Sequence, residues 1–67
     1  MSSFKATRVY RAVQLNERHW TLELSWKRFW GLHQSDWRPT HELCYSEYDA
    51  LARAMDYVAL WGGEISD

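Results

Sequence analysis

The clearest pattern in the chain is a strict alternation of apolar and polar side chains between His19 and Phe29. The apolar set is Trp20, Leu22, Leu24 and Trp26, and the polar set is Thr21, Glu23, Ser25 and Lys27. A period of two is typical of a β-strand with one face on a core and the other in water. The pattern therefore predicts a strand whose tryptophans and leucines face inward.

An earlier strand is predicted over residues 5–15, which are rich in β-branched and aromatic side chains. Val9 and Val13 occupy one alternate set, whereas Tyr10 and Ala12 occupy the other. Since both sets are apolar, the pattern does not choose which face of this strand is buried.

The connecting segments follow from residues that interrupt regular structure. Residues 16–18 predict a turn between the two strands, and residues 30–40 predict a loop because they contain Gly31 and Pro39. Residues 41–45 are compatible with a short third strand, although alternation over so few positions discriminates poorly.

A helix is predicted over residues 47–61, with Ser46 as its N-cap and Gly62-Gly63 as its stop. At about 100° per residue, one apolar face is predicted to lie on the sheet. That face holds Tyr48, Leu51, Ala52, Met55, Val58 and Ala59.

A second apolar strip runs along the same helix, at Ala50, Ala54, Tyr57 and Trp61. A helix that only lies on a sheet needs one apolar face. We therefore expect something further to cover the second strip, either the loop of residues 30–37 or another molecule.

Together these elements predict an α+β fold in which two to three antiparallel strands pack on one C-terminal helix. The 67 residues make a single domain, residues 1–67, with room for only a thin core. Five Trp, four Tyr and two Phe compensate for that small size, but so short a chain cannot bury all of them. Some aromatic side chains are therefore expected at the surface.

Charge is divided unevenly along the chain, although the formal net charge is only −1. Residues 1–41 carry seven Lys and Arg against three Asp and Glu, whereas residues 42–67 carry one against six. The division indicates one basic and one acidic surface, which matters for attracting partners. A single cysteine, Cys44, excludes an internal disulfide, and we expect a cytoplasmic protein because no signal peptide or membrane span is visible.

Candidate chemistry is sparse. His41 and Cys44, with His33, Asp36 and Glu42 nearby, make only half of a zinc motif, so no metal or other cofactor is expected. The chain has no Gly-rich loop and matches no catalytic motif, so we do not expect an enzyme.

Two binding functions stay open. The first is protein binding, because surplus Trp and Tyr beside Arg is typical of interface hot spots. The predicted contact residues are Trp30, Trp37, Arg38, Tyr57, Leu60 and Trp61. The partner is another protein of unknown identity, and a homodimer would satisfy the same observation.

The alternative is a single-stranded nucleic-acid-binding domain that uses a basic, aromatic sheet face. Its candidate residues are Arg8, Arg11, Lys27 and Arg28, which interleave with aromatic side chains. Such a surface would pair with phosphates while bases stack on the rings. Glu23 in the middle of the second strand and the acidic net charge make this alternative weaker. No membrane partner is expected.

No stretch matches a family motif residue by residue. In size and tryptophan content the chain is similar to accessory proteins of phages and mobile elements, many of which bind and inhibit a host factor, anti-CRISPR proteins among them. That likeness implies a small stoichiometric inhibitor as the expected role.

Overall fold

The fold is one four-stranded sheet with a single helix packed on one face, and it comes from a computed structural model that describes residues 6–28 and 34–66. In chain order the elements are β1 (Thr7–Gln14), β2 (Trp20–Lys27), β3 (Arg38–Pro39), α1 (Glu47–Trp61) and β4 (Glu64–Ile65). The predicted α+β class is confirmed. The sheet itself differs from expectation: it has four strands in the order β3-β2-β1-β4, and β4 runs parallel to β1.

The register of β1 against β2 decides which face of β1 is buried under the helix. Tyr10 lies opposite Leu24, and Ala12 lies opposite Leu22. Partners in an antiparallel pair project to the same side, so the tyrosine and alanine set joins the apolar set of β2. Leu22 and Tyr10 are both buried at the centre of this face. The predicted inward face of β2 is confirmed.

The other face of β2 is not simply solvated, contrary to the prediction. Thr21 and Ser25 are buried there, because the chain that follows β2 returns along its edge and covers them. The Thr21 hydroxyl donates to the Glu42 carbonyl at 2.6 Å, and the Ser25 hydroxyl donates to the Ser35 carbonyl at 2.7 Å. Short hydroxyl side chains can be buried in this way because each is satisfied by a backbone acceptor.

The returning segment forms an irregular edge, and residues 41–45, for which the sequence left a short strand open, form only an isolated bridge between Cys44 and Trp20. The pairs along this edge are Lys27 with Gln34, Leu24 with Arg38, and Trp20 with Cys44. Between the first two pairs the returning segment advances four residues while β2 advances three. Between the second and third pairs it advances six residues while β2 advances four, so the edge bulges in both intervals. His41 has a positive φ of 63° in the second bulge. Only the residues Arg38–Pro39 form a strand, where Pro39 is tolerated because it lies on a sheet edge.

The helix begins and ends where the sequence predicts. The Ser46 side chain accepts a hydrogen bond of 3.0 Å from the Asp49 backbone N–H, which satisfies one open donor of the first turn. At the other end Gly62 has a φ of 76°, and its N–H donates to the Val58 carbonyl at 2.8 Å.

The predicted orientation of the helix is wrong. Ala50 and Ala54 are fully buried against the sheet, whereas Tyr48 is 81% exposed and Met55 is 64% exposed. The second strip is therefore the one that faces the core, and the sheet covers its Ala50 and Ala54 part, whereas Trp61 at its end is 57% exposed. The physical reason is size, since the sheet already presents bulky side chains and close packing leaves room only for alanine at the crossing.

The fourth strand follows directly from the helix stop. Gly63 has a φ of 116° and lies so close to β1 that a Cβ there would meet the Arg8 carbonyl oxygen. The two glycines thus bring the chain against β1, where Val9 pairs with Glu64 and the Ser66 N–H donates to the Tyr10 carbonyl at 2.7 Å.

Substitution of the buried helix alanine tests this orientation. Ala54→Leu should lower the free energy of unfolding by about 1–3 kcal/mol, because the larger side chain overpacks the contact between helix and sheet. Ala52→Leu is the matched control, since Ala52 is exposed and leucine is nearly as good a helix former as alanine. Urea denaturation monitored by circular dichroism measures both. A larger loss for Ala52→Leu than for Ala54→Leu would contradict the orientation described.

Candidate functional site

An apolar groove lies where the last turns of α1 pass over the β3 side of the sheet. Its volume is about 360 Å³. The residues that line this α1–β3 groove are Arg8, Tyr10, Leu24, Arg38, Pro39, Thr40, Tyr57 and Trp61. Both the sheet and the helix contribute aromatic side chains to its lining, Tyr10 from β1 and Tyr57 and Trp61 from α1.

Three aromatic rings form one wall of the groove. The ring centroids of Tyr10 and Tyr57 are 5.5 Å apart with a tilt of 31°, and those of Tyr57 and Trp61 are 5.1 Å apart with a tilt of 32°. Tyr57 and Trp61 stand one helical turn apart, so their side chains stack along the helix axis. Trp61 ends the series and is still 57% exposed, which leaves a large apolar surface open to solvent.

Arg8 lies on the floor of the groove between two tryptophans. Its guanidinium carbon is 4.5 Å from the Trp26 ring centroid and 6.0 Å from that of Trp61. Contacts at this range stabilise the cation on the ring faces and hold the side chain in place. In the part of the chain that the structure describes, neither Arg8 nor Arg38 forms an ion pair with a carboxylate.

A polar network holds Tyr57 in position. The Tyr57 hydroxyl donates to the Glu42 carboxylate, and Arg53 Nη1 lies 3.8 Å from Glu42 Oε2. Burial, followed by the hydrogen bond to Glu42, raises the pKa of Tyr57 to about 12. The phenol therefore stays neutral and keeps donating to Glu42 throughout the physiological range.

The opposite face of the sheet has a different character, because its cations are paired. Arg11 donates to Glu23 from Nε at 2.8 Å and from Nη2 at 2.5 Å, and Lys27 Nζ lies 2.5 Å from a Glu64 oxygen. The Arg11 guanidinium also lies 4.2 Å from the Trp37 ring centroid. Charge on this face is thus largely compensated within the protein.

The structure brings together half of the predicted protein-contact residues. Arg38, Tyr57 and Trp61 line the groove. Trp37 lies on the opposite face over Arg11, Leu60 is 70% exposed and is not part of the groove lining, and Trp30 lies outside the described residues.

The four basic residues of the nucleic-acid alternative do not form one patch. Arg8 is on the groove side, Arg11 and Lys27 are on the opposite face with carboxylate partners, and Arg28 is exposed after the end of β2. The role of Arg8 beside the tryptophans was missed by sequence reasoning. The register of the β1–β2 hairpin, which places Arg8 opposite Trp26, is the signal that would have revealed it.

Two larger depressions, of about 510 and 450 Å³, lie near the end of β2. Both are lined by residues such as Gln34 and Ser35 that come directly after residues 29–33, which are not described. Their walls are therefore incomplete among the described residues, unlike those of the α1–β3 groove.

Among the residues that the structure describes, no cluster of potential metal ligands forms, and the one cysteine is buried. Cys44 is buried, and burial raises the pKa of its thiol, which disfavours the nucleophilic thiolate. Within residues 6–28 and 34–66, no three His, Cys, Asp or Glu side chains come together as metal ligands; His33 lies outside these ranges. Over the same residues, no helix has the length and apolar character needed to cross a membrane.

Comparison with protein-family models, with curated proteins and with solved structures found no significant match for this chain.

The Tyr57 network predicts a loss of stability at alkaline pH. The pKa of Tyr57 is raised in the folded state from 10.0 to about 12, so the protonated phenol favours folding. This contribution is complete below pH 10 and disappears as the pH rises to about 12. Urea denaturation at a series of pH values should show this loss in the wild type but not in Tyr57→Phe.

Tyr48→Phe is the matched control, because Tyr48 is exposed and forms none of the hydrogen bonds found among the described residues. It should retain the wild-type pH dependence. An identical alkaline profile for Tyr57→Phe and the wild type would contradict the role assigned to Tyr57.

Proposed function

We propose that this protein acts by binding another protein stoichiometrically, with the α1–β3 groove as the contact surface. The observation that carries the proposal is the combination at one place of an exposed aromatic wall and two arginines that lack carboxylate partners among the described residues. Tryptophan, tyrosine and arginine are the residue types most enriched at the energetic centres of protein interfaces.

Trp61 is the expected anchor of the interface. One side of its ring is supported by Tyr57 and by Arg8, so its position is fixed before a partner arrives. Its exposed part is free to be buried by a partner. A preorganised aromatic side chain loses little conformational entropy on binding, so more of the burial energy contributes to affinity.

The ionisable groups in the groove support binding rather than catalysis. Among the described lining residues they are Arg8, Arg38, Tyr10 and Tyr57, and the pKa of Tyr57 is raised to about 12. General acid–base catalysis requires a group that exchanges protons near the working pH. The arginines and this tyrosine keep their protons at neutral pH, so they are suited to recognition.

The single-stranded nucleic-acid alternative has less support. A strand requires a continuous series of cations along its phosphates, but Arg11 and Lys27 are already paired with Glu23 and Glu64. This alternative predicts binding of an oligothymidylate at low salt, with an affinity that falls steeply as salt is added. Absence of binding in a fluorescence-anisotropy titration at low salt would exclude it.

Two narrower expectations belong to the same proposal. The inhibition of a host factor by a phage or mobile-element accessory protein is one way in which such a binding protein would act, and a cytoplasmic location would fit the reduced, buried Cys44. Identification of the partner tests both.

Truncation of the anchor tests the proposed interface. Trp61→Ala should abolish affinity capture of the partner from a nuclease-treated lysate, because loss of a central interface tryptophan costs about 2 kcal/mol or more of binding free energy. Tyr48→Ala is the matched control, since it removes another exposed aromatic side chain of α1 outside the groove lining. It should leave capture unchanged, and circular dichroism should show that both variants fold.

Leu60→Ala measures whether the interface extends beyond the groove, as the sequence analysis predicts. Capture that survives Trp61→Ala, Tyr57→Ala and Arg38→Ala alike would overturn the proposed interface. Material that disappears on nuclease treatment would favour the nucleic-acid alternative instead.

A further inference from the structure

We infer that the α1–β3 groove recognises an acidic peptide segment of the partner: Asp or Glu side chains bind Arg8 and Arg38, one at each arginine, and an apolar side chain between them packs on Tyr57 and Trp61. This inference rests on the proposed protein-binding function and adds the chemistry of the ligand. It is carried by charge complementarity, because the described residues that line the groove include two cations and an apolar wall but no carboxylate.

Arg8 is already prepared to bind a carboxylate. Its guanidinium carbon lies over the rings of Trp26 and Trp61, at 4.5 and 6.0 Å from their centroids, while its N–H donors have no carboxylate partner among the described residues. A guanidinium presents these donors as a fork that matches the two oxygens of a carboxylate. A ligand that binds this fork does not have to order a flexible side chain first.

Arg38 places a second cation on the other side of an apolar floor. β1 and β3 flank β2 on either side, and Arg38 lies directly opposite Leu24. With strands about 4.8 Å apart, the backbones that carry Arg8 and Arg38 are separated by roughly 10 Å across the sheet. An extended peptide advances about 3.4 Å per residue, so a few residues with an apolar centre and an acid at each end span this gap.

The same geometry disfavours a nucleic-acid strand in the groove. Arg8 covers a face of Trp26 on which a base would otherwise stack. The groove also adjoins the acidic half of the chain, including the Glu42 carboxylate held by Tyr57. The negative charges of one or two carboxylates are balanced by the two arginines. A strand of nucleic acid would add further phosphates beyond the arginines, and the surrounding acidic side chains would repel them.

Peptide selection on the full chain tests the inference. A phage-displayed library of random linear peptides is panned against the immobilised protein, and selected peptides are then synthesised and titrated by fluorescence anisotropy. The expected consensus holds Asp or Glu close to a Leu, Trp or Phe. Replacement of the acid by its amide in the peptide should weaken binding to the wild-type protein by about tenfold, as for loss of a charge-assisted hydrogen bond.

Variants of the protein assign this effect to the arginines. Arg8→Gln and Arg38→Gln should each lower the affinity for the acidic peptide by about tenfold. In the variant that lacks the arginine partner of a given acid, replacing that acid by its amide should lower the affinity little further, which is the signature of a direct pair. Arg18→Gln is the charge-matched control, since Arg18 is exposed in the β1–β2 turn at the far end of the hairpin from Arg8. If Arg8→Gln fails to fold, Arg38→Gln and the wild-type protein with paired peptides still decide the question.

Several results would overturn the inference. Selection of basic or uncharged peptides, equal affinity for acid and amide peptides, or an effect of Arg18→Gln as large as that of Arg38→Gln would each do so. So would preferential binding of an oligothymidylate, or a homodimer in sedimentation that Trp61→Ala dissociates, because either would place another occupant in the groove. A protein partner that requires Trp61 but binds independently of Arg8 and Arg38 would leave the proposed function standing and reject only the acidic ligand.

Discussion

The close approach of α1 to the sheet at Ala50 and Ala54 is the contact on which the rest of the structure depends. A chain of 67 residues can bury few large side chains. At this contact the sheet contributes the large side chains, and the helix contributes two alanines, whose side chains are small. One turn further along the same face the small residues give way to Tyr57 and Trp61. There the larger rings are only partly covered: Tyr57 still packs on Tyr10 of the sheet, whereas Trp61 is mostly exposed, and both form the wall of the α1–β3 groove.

The two faces of the sheet handle charge in different ways, and this difference locates the proposed site. On the face away from the helix, Arg11 and Lys27 are compensated by Glu23 and Glu64. On the helix face, Arg8 is stabilised by aromatic rings and has no carboxylate partner within residues 6–28 and 34–66. Ring contacts leave the hydrogen-bond donors of a guanidinium unused, whereas a carboxylate would occupy them. The cations of the groove therefore keep donors that could bind an external anion, whereas most donors of the cations on the opposite face are already used.

Local signals in the chain predicted the elements whose stabilisation is local. The helix bounds follow from Ser46 and Gly62, which act through hydrogen bonds within a few residues, and the long β2 strand follows from its own alternation. The β4 strand and the true β3 strand were not predictable in this way. Each is two residues long and exists only because a distant strand offers it backbone partners. The groove residues were recognised in part, through Arg38, Tyr57 and Trp61, because their residue types favour interfaces.

The sequence by itself determined that the chain is an α+β domain, where its helix begins and ends, and which side of β2 faces the core. These properties depend on periodicity and capping, which are written in neighbouring residues. Only the tertiary structure decided which of two apolar strips of α1 is buried, because both have helical spacing and the choice depends on the volume available against the sheet. Likewise, only the strand register placed Arg8 beside Trp26, and only the path of the chain after β2 buried Thr21 and Ser25. Packing volume and register are relations between distant segments, so no pattern within one segment contains them.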